Sequence, residues 1–118
     1  MLKIGLYLDV PEIRSCLYGL ESFVENEQCE GREGSHLYRA AKRLLSRLRK
    51  DLKSLKLIAA NDKSRRIQVI TYADEFGLLQ YIAENLEEFG VDAYSNELRR
   101  LAQRFRSFEH IVNIGSEL

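Results

Sequence analysis

Three apolar stretches of this sequence each run into acidic or amide side chains. Residues 2–8 lead to Asp9 and Glu12, residues 66–72 lead to Asp74 and Glu75, and residues 110–114 carry Asn113 and lead to Ser116 and Glu117. If these stretches are strands of one parallel sheet, their C-terminal tips share an edge, where such sheets place a binding crevice. Carboxylates gathered there suit a hard divalent cation, Mg²⁺ or Mn²⁺. Such an ion activates water and stabilises a phosphoryl transition state. Asp9 leads this set. Each acid also has a plainer role. Asp or Glu just after a strand caps the following helix, where the dipole favours negative charge. Asp74 and Glu75 read first as caps and Glu117 as a solvated residue. Asp9 stands between the two roles, because Pro11 already suits a first helical turn.

A second kind of chemistry lies between residues 36 and 56. Leu37, Ala41, Leu44, Leu45, Leu48, Leu52 and Leu55 fall on a stripe about 100° wide at helical rotation. Arg39, Lys42, Arg43, Arg49, Lys50, Lys53 and Lys56 project on the other side. Such a row of cations can contact successive phosphates of RNA with salt-dependent affinity and no sequence readout. Base stacking needs interleaved aromatics, and Tyr38 is the one aromatic nearby. Two plainer readings stand beside this one. The face is merely solvated, or the acidic stretch from Asp9 to Glu33 neutralises it within the fold or across a homodimer.

The chain has 118 residues, of which 45% are hydrophobic, with one proline and no low-complexity tract. That suits one domain over residues 1–118 with a real core. Formal net charge is zero, but the total hides an acidic first quarter followed by a basic stretch. No apolar run approaches the roughly 20 residues that span a bilayer, so no membrane role is expected. The first residues read as a strand rather than a signal peptide. Cys16 and Cys29 make no metal-ligand spacing and read as free thiols of a cytoplasmic protein.

Helical spacing of Ile13, Cys16, Leu17, Leu20 and Val24 predicts a helix to about Glu25, and residues 26–35 read as a loop. Ser35 is placed to cap the basic helix. Residues 67–72 are apolar on both faces, as a strand covered by helices on both sides would be. Phe76, Leu79, Ile82, Ala83, Leu86 and Phe89 predict a third helix ending at Gly90. Residues 91–94 form a short strand, and Leu98, Leu101, Ala102 and Phe105 a last helix before the strand at 110–114. Strands alternating with helices predict an α/β fold, a single three-layer domain with a mainly parallel sheet of four to five strands flanked by helices.

The segment Leu6-Tyr7-Leu8-Asp9 resembles the opening strand of NYN domains, a branch of the PIN-like nucleases. Residues 66–74, the helix from Leu79 to Leu86, and Phe89-Gly90-Val91-Asp92-Ala93-Tyr94 are similar to that family's second strand, helix and third strand. Residues 111–118 look like its last core strand and the turn after it. The departures are specific. Pro11, Glu12 and Ile13 stand where the family has an asparagine, Gly115 replaces an aspartate, and Ser95-Asn96-Glu97 stands for a longer acidic segment. The resemblance implies a metal-dependent endoribonuclease, or a degenerate RNA-binding relative, with Asp9, Glu97 and Glu117 as catalytic and metal-ligating acids. The competing expectation is a non-catalytic module for protein interaction or self-association. No Gly-rich phosphate loop, dinucleotide fingerprint or nucleophile elbow is present. Cys16 reads as a core thiol, and His110 as structural.

Overall fold

The computed structural model describes residues 3–58, 65–85, 99–101, 103 and 111–114. Strand β1 (Lys3–Leu8) is followed by helix α1 (Val10–Cys29), helix α2 (His36–Ile58), strand β2 (Ile67–Tyr72), helix α3 (Ala73–Glu84) and strand β3 (Ile111–Ile114). The expected strand at 91–94, the end of the third helix at Gly90, and His110 lie outside the described residues.

The sheet overturns the predicted architecture. Among the described residues it has three strands in the order β2-β1-β3, and β1 is antiparallel to both neighbours. The reason lies in the number of helices between β1 and β2. A strand, one helix and a second strand give a parallel pair. Here α1 and α2 form a helical hairpin, which returns the chain to the end of β1 that it left. Leu8 therefore pairs with Ile67, and Lys3 with Tyr72. β2 and β3 do run the same way, with a helix between them in sequence, but β1 lies between them in the sheet.

Alternation sets which side of the sheet is covered. Ile4, Leu6, Leu8 and Val69 are buried in one core with the helices. Thr71, buried on the same side, donates its hydroxyl to Ile4 O at 3.0 Å. On the other side Tyr7 and Ile70 remain 39% and 40% exposed. The expectation of helices on both faces thus fails at these positions, and the described residues form a helical layer on one side of a small sheet.

Ile13, Cys16, Leu17, Leu20, Phe23 and Val24 supply the inner face of α1, and Ala40, Ala41, Leu44, Leu45, Leu48 and Leu55 that of α2. Leu37, although on the apolar stripe, is 43% exposed. α1 runs four residues beyond Glu25, to Cys29. Gly31, at φ 72°, takes the left-handed position after the helix. Arg32 N–H then donates to Glu27 O at 2.8 Å and Gly31 N–H to Gln28 O at 3.2 Å, the two bonds that close a helix on such a glycine. The apolar contact usual across this turn is replaced by the buried Glu27 carboxylate, which accepts from Arg32 Nε at 3.0 Å and from its terminal nitrogen at 2.9 Å. That ion pair explains why a polar stretch that reads as loop is helical. Ser35 caps α2 as its position predicts, its hydroxyl accepting from Tyr38 N–H at 3.1 Å.

Candidate nucleic-acid interface

Asp9 ends β1 and begins α1 as a reciprocal cap. Glu12 N–H donates to Asp9 Oδ1 at 2.9 Å, and Asp9 N–H donates to Glu12 Oε1 at 3.0 Å. Arg66 Nε lies 3.6 Å from the same Glu12 oxygen. Burial pushes the Asp9 carboxyl above its ordinary pKa, and the backbone bond from Glu12 only partly offsets that. These are the properties of a cap seated at a helix start.

The antiparallel register also takes Asp9 away from the edge where β2 and β3 end. Tyr72 and Ile114 both pair with Lys3, so β2 and β3 end at the opposite end of β1 from Asp9. Five residue steps separate Lys3 from Leu8, about 17 Å at strand rise. Asp74 and Glu75 follow β2 at that far end. Glu97, Ser116 and Glu117 lie outside the described residues, as does the side chain of Asn113. Among the described residues no group of three His, Cys, Asp or Glu is placed to hold a metal ion. One Asp9 oxygen is engaged by the helix, and the described donors form no Mg²⁺ or Mn²⁺ site.

Asp74 and Glu75 open α3, and each is bound to α2. Arg43 donates to Asp74 Oδ2 at 2.8 Å and to Glu75 Oε2 at 3.3 Å. His36 Nε2 lies 3.2 Å from the same Asp74 oxygen. Glu75, with no exposed side-chain surface, also accepts from Arg47 and from Tyr72 N–H at 2.9 Å. Arg47 in turn donates to Ile70 O at 2.7 Å and stacks 5.2 Å above the Tyr72 ring. Burial alone would raise the Asp74 carboxyl, but the bond and charge of Arg43 outweigh it and hold it below its ordinary value. Arg43, an expected phosphate contact, therefore serves as an internal latch. The residue pattern alone does not single out Arg47. The signal for it is its place one turn after Arg43, on a helix whose neighbour opens with two acids.

The remaining cations of α2 divide by direction. Arg49 leans toward α1, its terminal nitrogen 3.4 Å from Glu21 Oε1. Arg39, Lys42, Lys50 and Lys53 are exposed. At 100° per residue they fall within about 80° of arc, and they span about 21 Å of axis. None makes an ion pair with a described residue. A surface cavity of about 250 Å³ is lined by Arg49, Lys50, Leu52, Lys53 and Lys56. A second, of about 170 Å³, is lined by Arg14, Leu17, Tyr18 and Glu21 of α1.

No family model matches the chain, and no curated protein or solved structure is significantly similar to it. No helix among the described residues is long and apolar enough to cross a membrane. Of the cysteines, Cys16 is buried and Cys29 exposed, both as free thiols.

Proposed function

We propose that this chain is an RNA-binding module that holds the phosphate backbone on the outward ridge of α2 and performs no metal-dependent cleavage at Asp9. The observation that supports this reading is the split among the cations of one helix. Arg43, Arg47 and Arg49 have acidic partners inside the fold, whereas Arg39, Lys42, Lys50 and Lys53 face solvent with no described acid beside them. Like charges three residues apart on a helix repel by a few tenths of a kcal/mol per pair. A polyanion laid along the ridge relieves that repulsion and releases condensed counterions.

The test is fluorescence anisotropy with a labelled single-stranded RNA across a salt series. Lys42→Glu with Lys50→Glu is expected to weaken binding at least tenfold at low salt. The slope of log affinity against log salt should flatten by about 0.7 for each phosphate that is no longer neutralised. Chelating divalent ions should leave binding unchanged. Two results overturn the reading. One is RNA cleavage in Mn²⁺ that Asp9→Asn abolishes. The other is a salt-sensitive homodimer, dissolved by the same charge reversals, with no affinity for RNA.

A further inference from the structure

The two surface cavities meet at one ion pair. Glu21 lines the α1 cavity, Arg49 lines the α2 cavity, and their side chains approach to 3.4 Å. The recess on α2 carries Lys50, Lys53 and Lys56 around Leu52. The recess on α1 presents the Tyr18 ring, 37% exposed, together with Leu17 and Arg14.

We infer that the two recesses act as one groove across the Glu21–Arg49 pair, a nucleotide subsite for single-stranded nucleic acid that takes a phosphate at the lysine end and stacks a base on Tyr18. The inference rests on the RNA-binding reading of the ridge and names the form of polymer that ridge receives. Lys50 and Lys53 belong to both the ridge and the cavity, so a backbone tracked along α2 passes the mouth of the groove. Four cations and no acid line the α2 recess, whereas Glu21 offsets Arg14 in the α1 recess, so the phosphate is drawn to the α2 side. A neutral base finds an aromatic face and an apolar neighbour on the α1 side. Bases of a duplex are already stacked on one another, whereas those of a single strand are free to leave the strand for an aromatic side chain. The groove therefore selects single strands, although the ridge alone would hold either form.

The experiment compares three probes on the full chain: a single-stranded oligoadenylate, an RNA duplex of equal length, and inorganic polyphosphate. Tyr18→Ala should weaken oligoadenylate binding about tenfold, the scale of one base–aromatic stack, and leave polyphosphate binding unchanged. Tyr18→Phe should retain the affinity, since the ring remains. Tyr18→Leu, which keeps the apolar cover of the helix, should behave like Tyr18→Ala and separates stacking from any loss of folding. Lys53→Glu should weaken all three probes. Full retention of oligoadenylate affinity by Tyr18→Ala and Tyr18→Leu overturns the subsite while leaving the ridge intact. Equal loss for oligoadenylate and polyphosphate overturns it too, because the effect is then not on a base. Absence of binding to every probe by the unaltered chain removes the ridge reading together with this one.

Discussion

The two sides of α2 carry the same kind of side chain and put it to different uses. On the side toward α3, Arg43 and Arg47 surround Glu75, a carboxylate with no exposed surface. On the side toward solvent, Arg39, Lys42, Lys50 and Lys53 project with no described acid in reach. The difference lies in a few tens of degrees around the helix axis and in what the next helix begins with. It also follows the chemistry of the two cations. The planar, many-donor guanidinium of arginine suits a buried carboxylate, while the hydrated ammonium of lysine suits open solvent. Three of the seven expected phosphate contacts on this helix are arginines, and the structure ties two of them, Arg43 and Arg49, to acids within the fold.

The sharpest way to break this contrast is to remove the buried acid. Glu75→Ala leaves two arginines facing an emptied site and deprives Tyr72 N–H of its acceptor. Because Arg43 and Arg47 are themselves part-exposed, the main cost is the lost charge-assisted hydrogen bonds and the orphaned Tyr72 N–H, about 1–3 kcal/mol, which urea unfolding at neutral pH would register as a clear fall in the midpoint. A midpoint near that of the unaltered protein would mean that the latch is only decorative. The ridge should behave in the opposite way. Lys42→Glu with Lys50→Glu should leave the urea midpoint where it was, because neither side chain holds the fold together, while RNA affinity falls. A variant that loses stability and binding together would collapse the distinction between the two sides.

A smaller effect separates the acids themselves. Asp74 is held below its ordinary pKa in the fold, so its contribution to stability is fully present above the unfolded carboxyl value, about 4. That contribution is lost as pH falls through the depressed folded value. Asp74→Asn should therefore lower stability at neutral pH and reduce the steepness of acid unfolding below about pH 4. Unchanged acid unfolding in this variant would show that Arg43 gains nothing from Asp74 beyond what it has from Glu75.

How far the sequence could be read follows the same division. The amphipathic stripe of α2, the Ser35 cap and the first strand were legible, because each rests on spacing or on one local hydrogen bond. The strand directions were not. Both helices between residues 9 and 66 were legible, but not their packing as a hairpin across the turn at 30–35, which returns the chain to the end of β1 that it left and makes the next strand antiparallel. The four extra helical residues of α1 were hidden because Glu27 is buried through a partner, Arg32, that a hydropathy pattern scores as exposed. The place of Asp9 on a shared acidic edge was an inference from strand direction and falls with it. The proposed groove was invisible for another reason. Its aromatic lies on α1 and its lysines on α2, some thirty positions apart, and only the helical hairpin brings the two linings into contact, through Glu21 and Arg49.

The smallest expected effect concerns Asp9, and it carries the most information about catalysis for its size. Asparagine caps a helix about as well as aspartate, so Asp9→Asn keeps the acceptor for Glu12 N–H while removing the charge. In the fold Asp9 is raised above its ordinary pKa by burial. Its favourable contribution is therefore fully present below the unfolded carboxyl value and is lost as pH rises through the folded one, the reverse of Asp74. Replacing it should leave stability at neutral pH equal to or slightly above that of the unaltered chain, with the advantage vanishing toward acid. Urea midpoints at neutral pH and near pH 4 would show this as a small difference that closes on acidification. A large loss at neutral pH would mean that the negative charge at Asp9 has a partner the capping geometry does not supply. A metal ion held with acids from other segments would then become the first candidate for it.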